Sequence, residues 1–89
     1  MTFTVEWADP ASAEAVSLWL ANFPLRAGIE AAARWDIDAE LATDAHLKGT
    51  PVDNCRFIVV GPLAVLYSVD VGRRVARVLE LSISASARP

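Results

Sequence analysis

The sequence predicts an α+β fold: an N-terminal strand, a helical hairpin and then a three-strand antiparallel meander, with both helices on one face of the sheet. Three observations predict it. Residues 2–7 alternate between apolar and polar with period two. Residues 9–42 carry apolar side chains at helical spacing, interrupted by Pro24. Residues 56–84 hold three runs rich in β-branched and aromatic residues, separated by two short turn signals.

In chain order, Phe3, Val5 and Trp7 alternate with Thr2, Thr4 and Glu6, the pattern of a strand with one buried face. Asp9 then reads as an N-cap, with Pro10 at the first helical position, where its missing N–H costs nothing. The first helix starts there and runs to about Asn22, ahead of Pro24. Val16, Trp19, Leu20 and Phe23 fall at i, i+3, i+4 and i+7, and this stripe is expected to face the sheet. The second helix spans Leu25 to Ala42, with Leu25, Ile29, Ala33, Ile37 and Leu41 in one i+4 row and many alanines favouring helix. Asp36 and Glu40 fall near the same side, which predicts partial exposure or a bend before the helix ends. Trp7 and Trp19 read as core fillers, and Trp35, off the row, as an edge residue.

Residues 43–54 (TDAHLKGTPVDN) are polar, contain Gly49 and Pro51, and read as a loop. Arg56–Val60 and Leu63–Val69 are strand-like runs joined by Gly61-Pro62, a dipeptide that connects two strands and does not fit inside one. Asp70-Val71-Gly72 is the next turn signal, and Arg73–Ser84 the closing strand, with Val75, Leu79, Leu81 and Ile83 at its odd positions.

Composition narrows the function classes. At 89 residues the chain is one domain; a domain near this size buries only roughly 60–65% of its unfolded surface. It is nevertheless 54% hydrophobic, with mean hydropathy +0.34, so part of its apolar surface is expected to lie against another chain. Cys55 is the one cysteine, which excludes an intrachain disulfide. The first ten residues carry two acidic groups and no basic one, unlike a signal or transit peptide, and no run reaches membrane-spanning length. A soluble cytoplasmic protein without a membrane partner is expected. The net charge of −3 lacks the basic field that phosphate neutralisation uses, which argues against unaided nucleic-acid binding. Gly28, Gly49, Gly61 and Gly72 are isolated, and His46 and Cys55 are single, so no cofactor or metal is expected.

The spacing of Arg56, Gly61-Pro62 and Tyr67, followed by a hydrophobic closing strand, resembles the toxins of the RelE/ParE superfamily, the toxin halves of bacterial type II toxin–antitoxin pairs. The order of all the elements carries the resemblance, which covers essentially the whole chain. It implies a growth-inhibiting, toxin-like component neutralised by a cognate antitoxin. It further implies action on translation, through ribosome-dependent mRNA cleavage, or on DNA gyrase. Arg56 and Tyr67 would then be catalytic, a basic residue and an aromatic hydroxyl that hold phosphate or assist proton transfer. By pattern alone, Arg56 is a strand-edge residue snorkelling over its apolar neighbours, and Tyr67, in alternation with Leu63, Val65 and Val69, is a core tyrosine with a tethered hydroxyl.

Two departures weigh against RNA cleavage. Ala64 stands where the superfamily commonly has an arginine three residues before the tyrosine, and the tail SASARP holds Arg88 as its sole charged side chain. The alternative is a domain that keeps the RelE/ParE fold and acts by protein–protein binding. His46 and Lys48, in the loop ahead of the hairpin, are candidate acid/base or contact residues, with a solvated loop as the plainer reading. Arg73, Arg74 and Arg77 form the one basic cluster, a candidate contact for phosphate or an acidic partner. Both faces of the hairpin carry large hydrophobes, and two helices cover only one. Ile58, Val60 and Leu66 are therefore expected on an uncovered face that binds a segment of antitoxin or a second copy of the chain.

Overall fold

The computed structural model describes residues 1–87. Thr4–Trp7 (β1) leads into the helix Asp9–Ala21 (α1). A second helical arm follows, made of Arg26–Ala31 (α2), a π-helical turn Ala32–Asp36 and Ile37–Leu41 (α3). Thr50–Val52 (β2), Cys55–Val60 (β3), Leu63–Asp70 (β4) and Val75–Ile83 (β5) complete the chain. The strands form one mixed sheet in the order β1-β5-β4-β3-β2, with β1 parallel to β5 and every other pair antiparallel. Both helical arms lie on one face, where Ala11, Ile29, Ile37 and Leu41 meet Leu63, Val65, Tyr67 and Val78 in a single core. The α+β class and the placement of the helices are as the sequence predicts. Arg88, the basic residue of the tail, lies outside the described residues.

The stretch 43–54 holds more structure than a loop. A 3-10 turn at Ala45–Leu47 precedes β2, which pairs with β3 and extends the meander to four strands. Pro51 is tolerated because β2 is the sheet edge and has no second neighbour to receive an N–H. Asp53 takes φ +53 in the two-residue turn between β2 and β3, a conformation that aspartate adopts more readily than most residues.

Three faces differ from the periodic reading, each for a local reason. In α1 the buried residue is Ala11, with Ala15, Leu18 and Trp19 packed beside it, whereas Val16, Leu20 and, in the 3-10 turn Phe23–Leu25 just beyond the helix, Phe23 are 60%, 60% and 75% exposed. Small residues let the helix approach β5 closely, and Glu14 Oε1 accepts the Leu81 backbone N–H at 3.4 Å. The helix begins one residue earlier than Asp9 as a cap implies: Ala8 is the N-cap, and Asp9 sits in the first turn, where its charge suits the helix dipole.

In the second arm, an i+4 row drifts by about 40° per step on a helix of 3.6 residues per turn. The π-helical turn takes up part of that drift. Ile29, Ile37 and Leu41 are thereby all buried, with Ala32 in place of Ala33 between them. Trp35 falls on this turn and is 68% exposed, at the edge as expected. In β5 a bulge shifts the register where Tyr67 opposes Val78 and Leu66 opposes Glu80, leaving Leu79 as the extra residue. Ala76 and Val78 are buried before it and Leu81 after it, so no single parity describes the strand.

The N-terminus is fastened to the stretch that follows the helices. Thr2 bridges Thr43, and the Met1 ammonium lies 2.7 Å from Asp44 Oδ1. Hydrogen bonding and attraction from that ammonium hold the Asp44 carboxyl below its usual value of 3.8. A group whose pKa is depressed on folding contributes stability above its unfolded pKa and loses it as the pH falls through the folded one. Stability should therefore fall below about pH 4 with a contribution from Asp44. Asp44→Asn, which still suits φ +51, should flatten that part of the curve in urea unfolding measured from pH 6 to pH 2. An unchanged pH profile would show that the ion pair is inert.

Candidate functional site

Arg56 and Tyr67 are cross-strand partners on β3 and β4, on the core side of the sheet. The Tyr67 hydroxyl lies 2.9 Å from the carbonyl oxygens of both Ala45 and Lys48, and Arg56 Nε donates to that same Lys48 carbonyl. Arg56 Nη2 also reaches the Gly49 carbonyl at 3.4 Å. Burial pushes the Tyr67 phenol above its ordinary value of 10.0, a shift that the nearby Arg56 guanidinium opposes. Tyr67 has no exposed surface at all. Both side chains hold the 45–49 loop against the hairpin. Tyr67 is thus a core tyrosine with a tethered hydroxyl.

His46 and Lys48 belong to the same tethered loop and are not freely solvated. The His46 ring packs 5.3 Å from Phe3, with Nδ1 buried and unpartnered. Lys48 Nζ donates to the Glu40 carbonyl at 2.6 Å and pairs with its carboxylate at 3.4 Å. Arg73 and Arg74 are exposed in the turn before β5, where Asp70 Oδ1 accepts the Arg73 N–H at 3.0 Å. Arg77 lies 3.9 Å from Glu6 on β1, which offsets its charge. The basic cluster is thus spread out and partly neutralised.

The expected partner face is also divided differently. Ile58 pairs with Val65 and Val60 with Leu63, which places both on the core side, and Val60 is buried. Leu66 pairs with Phe57 and lies on the outer side, with Val59. The outer face is therefore built from Phe57, Val59 and Leu66, and Phe57 and Val59 are 39% and 47% exposed. The two-residue Gly61-Pro62 connection fixes this register, because a slip of one residue would exchange the faces.

An apolar concavity lies elsewhere, between the two helical arms. It has a volume of about 300 Å³ and is lined by Ala15, Val16 and Trp19 of α1 and by Ile29, Glu30, Ala33 and Arg34 of the second arm. Ala15 and Ala33 leave the hollow, and the Glu30–Arg34 ion pair, 3.5 Å, sits on its rim. At its α1 side, the Arg26 guanidinium stacks 4.3 Å over the Trp19 ring and donates to the Trp19 and Leu20 carbonyls, capping α1. Periodicity missed this groove because it assigned Val16 to the core. The signal that finds it is the near absence of charge along α1, where Asp9 and Glu14 are the only ionised side chains.

Among the described residues, no cluster of His, Cys, Asp and Glu could hold a metal ion. Neither protein-family models nor curated protein sequences match the chain. Solved structures do. A chain of the toxin–antitoxin complex RelBE2 from Mycobacterium tuberculosis superposes with TM-score 0.67 at 16% identity, over 96% of this chain and 94% of that one. A chain of the chromosomal ParDE toxin–antitoxin system of P. aeruginosa superposes with TM-score 0.66 at 15% identity, over 92% and 96%. At these identities the likeness is one of fold: the chain has the α+β fold of the RelE and ParE toxins.

Proposed function

We propose that this chain is the toxin-like half of a bacterial toxin–antitoxin pair, that it acts in the cytoplasm through protein contacts rather than RNA cleavage, and that a helix of its antitoxin lies in the α1–α2 groove. The groove carries the reading: it is apolar, open and the width that two alanines leave between helices, which suits the apolar face of a third helix. The fold shared with chains of two toxin–antitoxin systems supports an antitoxin as the partner. The burial of Tyr67 and the tethering of Arg56 count against cleavage. Of the two targets that the resemblance implies, a protein such as DNA gyrase suits a chain with this surface better than mRNA on the ribosome.

Expression of the chain alone should slow growth with cellular mRNA intact, and co-expression of the small gene beside it should relieve the arrest. Ala33→Glu puts a carboxylate into the groove beside Glu30 and should weaken antitoxin binding by about two orders of magnitude, the loss typical of a central contact. The variant should stay folded, because Ala33 is only half-buried. Arrest accompanied by codon-phased mRNA cleavage would overturn the reading, as would full relief of the Ala33→Glu variant.

A further inference from the structure

The outward face of α1 is not explained by the groove. Val16 and Leu20 lie one turn apart on α1, Phe23 follows in the 3-10 turn Phe23–Leu25 just beyond the helix, and each of the three exposes 60% or more of its surface. Beside this ridge runs a row of small exposed residues, Ala13 and Ser17. No charge interrupts this face between Asp9 at one end and Arg26 at the other. A helix with apolar residues all round is normally buried on every side. Here one side has no cover among the described residues.

We propose that this face binds a second copy of the chain, with the two α1 helices antiparallel across a two-fold axis near Ser17. Two observations select that occupant. The first is charge. Asp9 marks the start of α1, and the Arg26 guanidinium is fixed at its end by the Trp19 and Leu20 carbonyls. Antiparallel pairing sets Asp9 of each copy against Arg26 of the other and opposes the two helix dipoles favourably, whereas parallel pairing would set like charges together. With the rest of this face uncharged, the net −3 of each chain is kept away from the contact.

The second observation is shape and area. In the antiparallel arrangement the large ridge of one copy falls on the small row of the other, so that Leu20 covers Ala13, and each contact is made twice. The three large side chains expose roughly 300 Å² between them, given about 200 Å² for an aromatic residue and somewhat less for valine or leucine. With the small residues between them, a copy offers roughly 500 Å². The pair then buries about 1,000 Å², at the lower limit of specific interfaces, so the dimer is weak and reversible. This proposal is independent of the antitoxin reading, since it concerns the free chain, although Val16 borders both surfaces and the two occupants would compete.

Sedimentation or light scattering on the purified full chain, from about 5 to about 500 µM, the range in which interfaces of this size associate, tests it. The mass should rise from 9.6 kDa toward twice that value. Leu20→Glu, at an exposed position, should stay monomeric throughout with an unchanged melting curve. Ser17→Cys, in a Cys55→Ser background, should cross-link under mild oxidation, because the axis brings the two thiols together. A chain that remains monomeric over the whole range would overturn the proposal. So would a Leu20→Glu chain that still dimerises, or a dimer that Ser17→Cys fails to cross-link. A monomer whose α1 ridge is protected only when antitoxin is added would assign the face to that partner and equally overturn it.

Discussion

Replacing Tyr67 with alanine is expected to cost about 3–5 kcal/mol, the range for deleting a buried aromatic side chain. An 89-residue domain has a total stability of roughly 4–13 kcal/mol, so the variant should lose a large fraction of it and, at the lower end of that range, unfold. The cost has two sources. The ring is fully buried at the bulge in β4 and β5, where it packs among core residues of both helical arms. The hydroxyl shares the Lys48 carbonyl with Arg56 and also faces the Ala45 carbonyl, so its loss strips a buried acceptor of a partner. Tyr67→Phe isolates that second source and should cost about 1–2 kcal/mol. Because burial raises the phenol's pKa on folding, the unfolded chain releases its proton first, and stability should fall as the pH rises past 10. Tyr67→Phe should remove that alkaline loss. Urea unfolding of the three chains between pH 7 and pH 11 measures all of this. A Tyr67→Phe variant as stable as the parent yet without toxicity would return the residue to a chemical role.

How much of this was legible in the sequence varies with the physics of each element. The hairpin was legible as two strands and a connector, because period-two patterning marks the runs and Gly61-Pro62 fits only between them; the structure adds the register, in which Val60 opposes Leu63. The helices were legible as helices but not as oriented bodies. Helix α1 is apolar on several sides, so periodicity could not tell that Ala11 and Leu18 would face the sheet while Val16, Leu20 and Phe23 face out. That choice is made by the distance of approach to β5. The bulge at Leu79 and the π-helical turn at Ala32–Asp36 each insert a residue into a regular pattern, and no residue type at those positions announces an insertion. The partner face failed for the related reason that Ile58 and Leu66 were grouped without the cross-strand register that separates them.

Candidate chemistry was legible in residue type but not in surroundings. Arg56 and Tyr67 meet at the Lys48 carbonyl, while His46 packs on Phe3 and Lys48 pairs with Glu40, partners that nothing in the sequence announces. Hydrogen-bonding capacity spent inside the fold is not offered to a substrate. The surface left for function is then apolar, on α1, in the groove beside it and on the outer sheet face, in a chain whose hydrophobic fraction exceeds what its own core absorbs.

Gly49→Ala is expected to be nearly as damaging as Tyr67→Ala, although it adds one methyl group and removes nothing. Gly49 has φ +68, which any side chain resists, and a Cβ there would overlap the Phe57 carbonyl oxygen and come within 3.0 Å of its carbon. The obstacle is main chain, in the β3 strand that β2 pairs with, and it cannot turn aside as a flexible side chain would. Gly49 links Lys48, whose carbonyl serves Tyr67 and Arg56, to Thr50, which opposes Phe57. Relief therefore requires either that β2 leave the sheet or that the Lys48 carbonyl leave its two donors. A loss of about 3 kcal/mol or more is expected, larger than the roughly 1 kcal/mol that a positive φ alone imposes on alanine. Gly61→Ala supplies the comparison, since Gly61 has φ +57 but its nearest neighbour across the gap is the Ala32 methyl at 3.7 Å, an ordinary contact. Urea unfolding of both variants separates strain from overlap: equal losses would show that the loop yields freely, and that Tyr67 and Arg56 do not hold it where the structure places it.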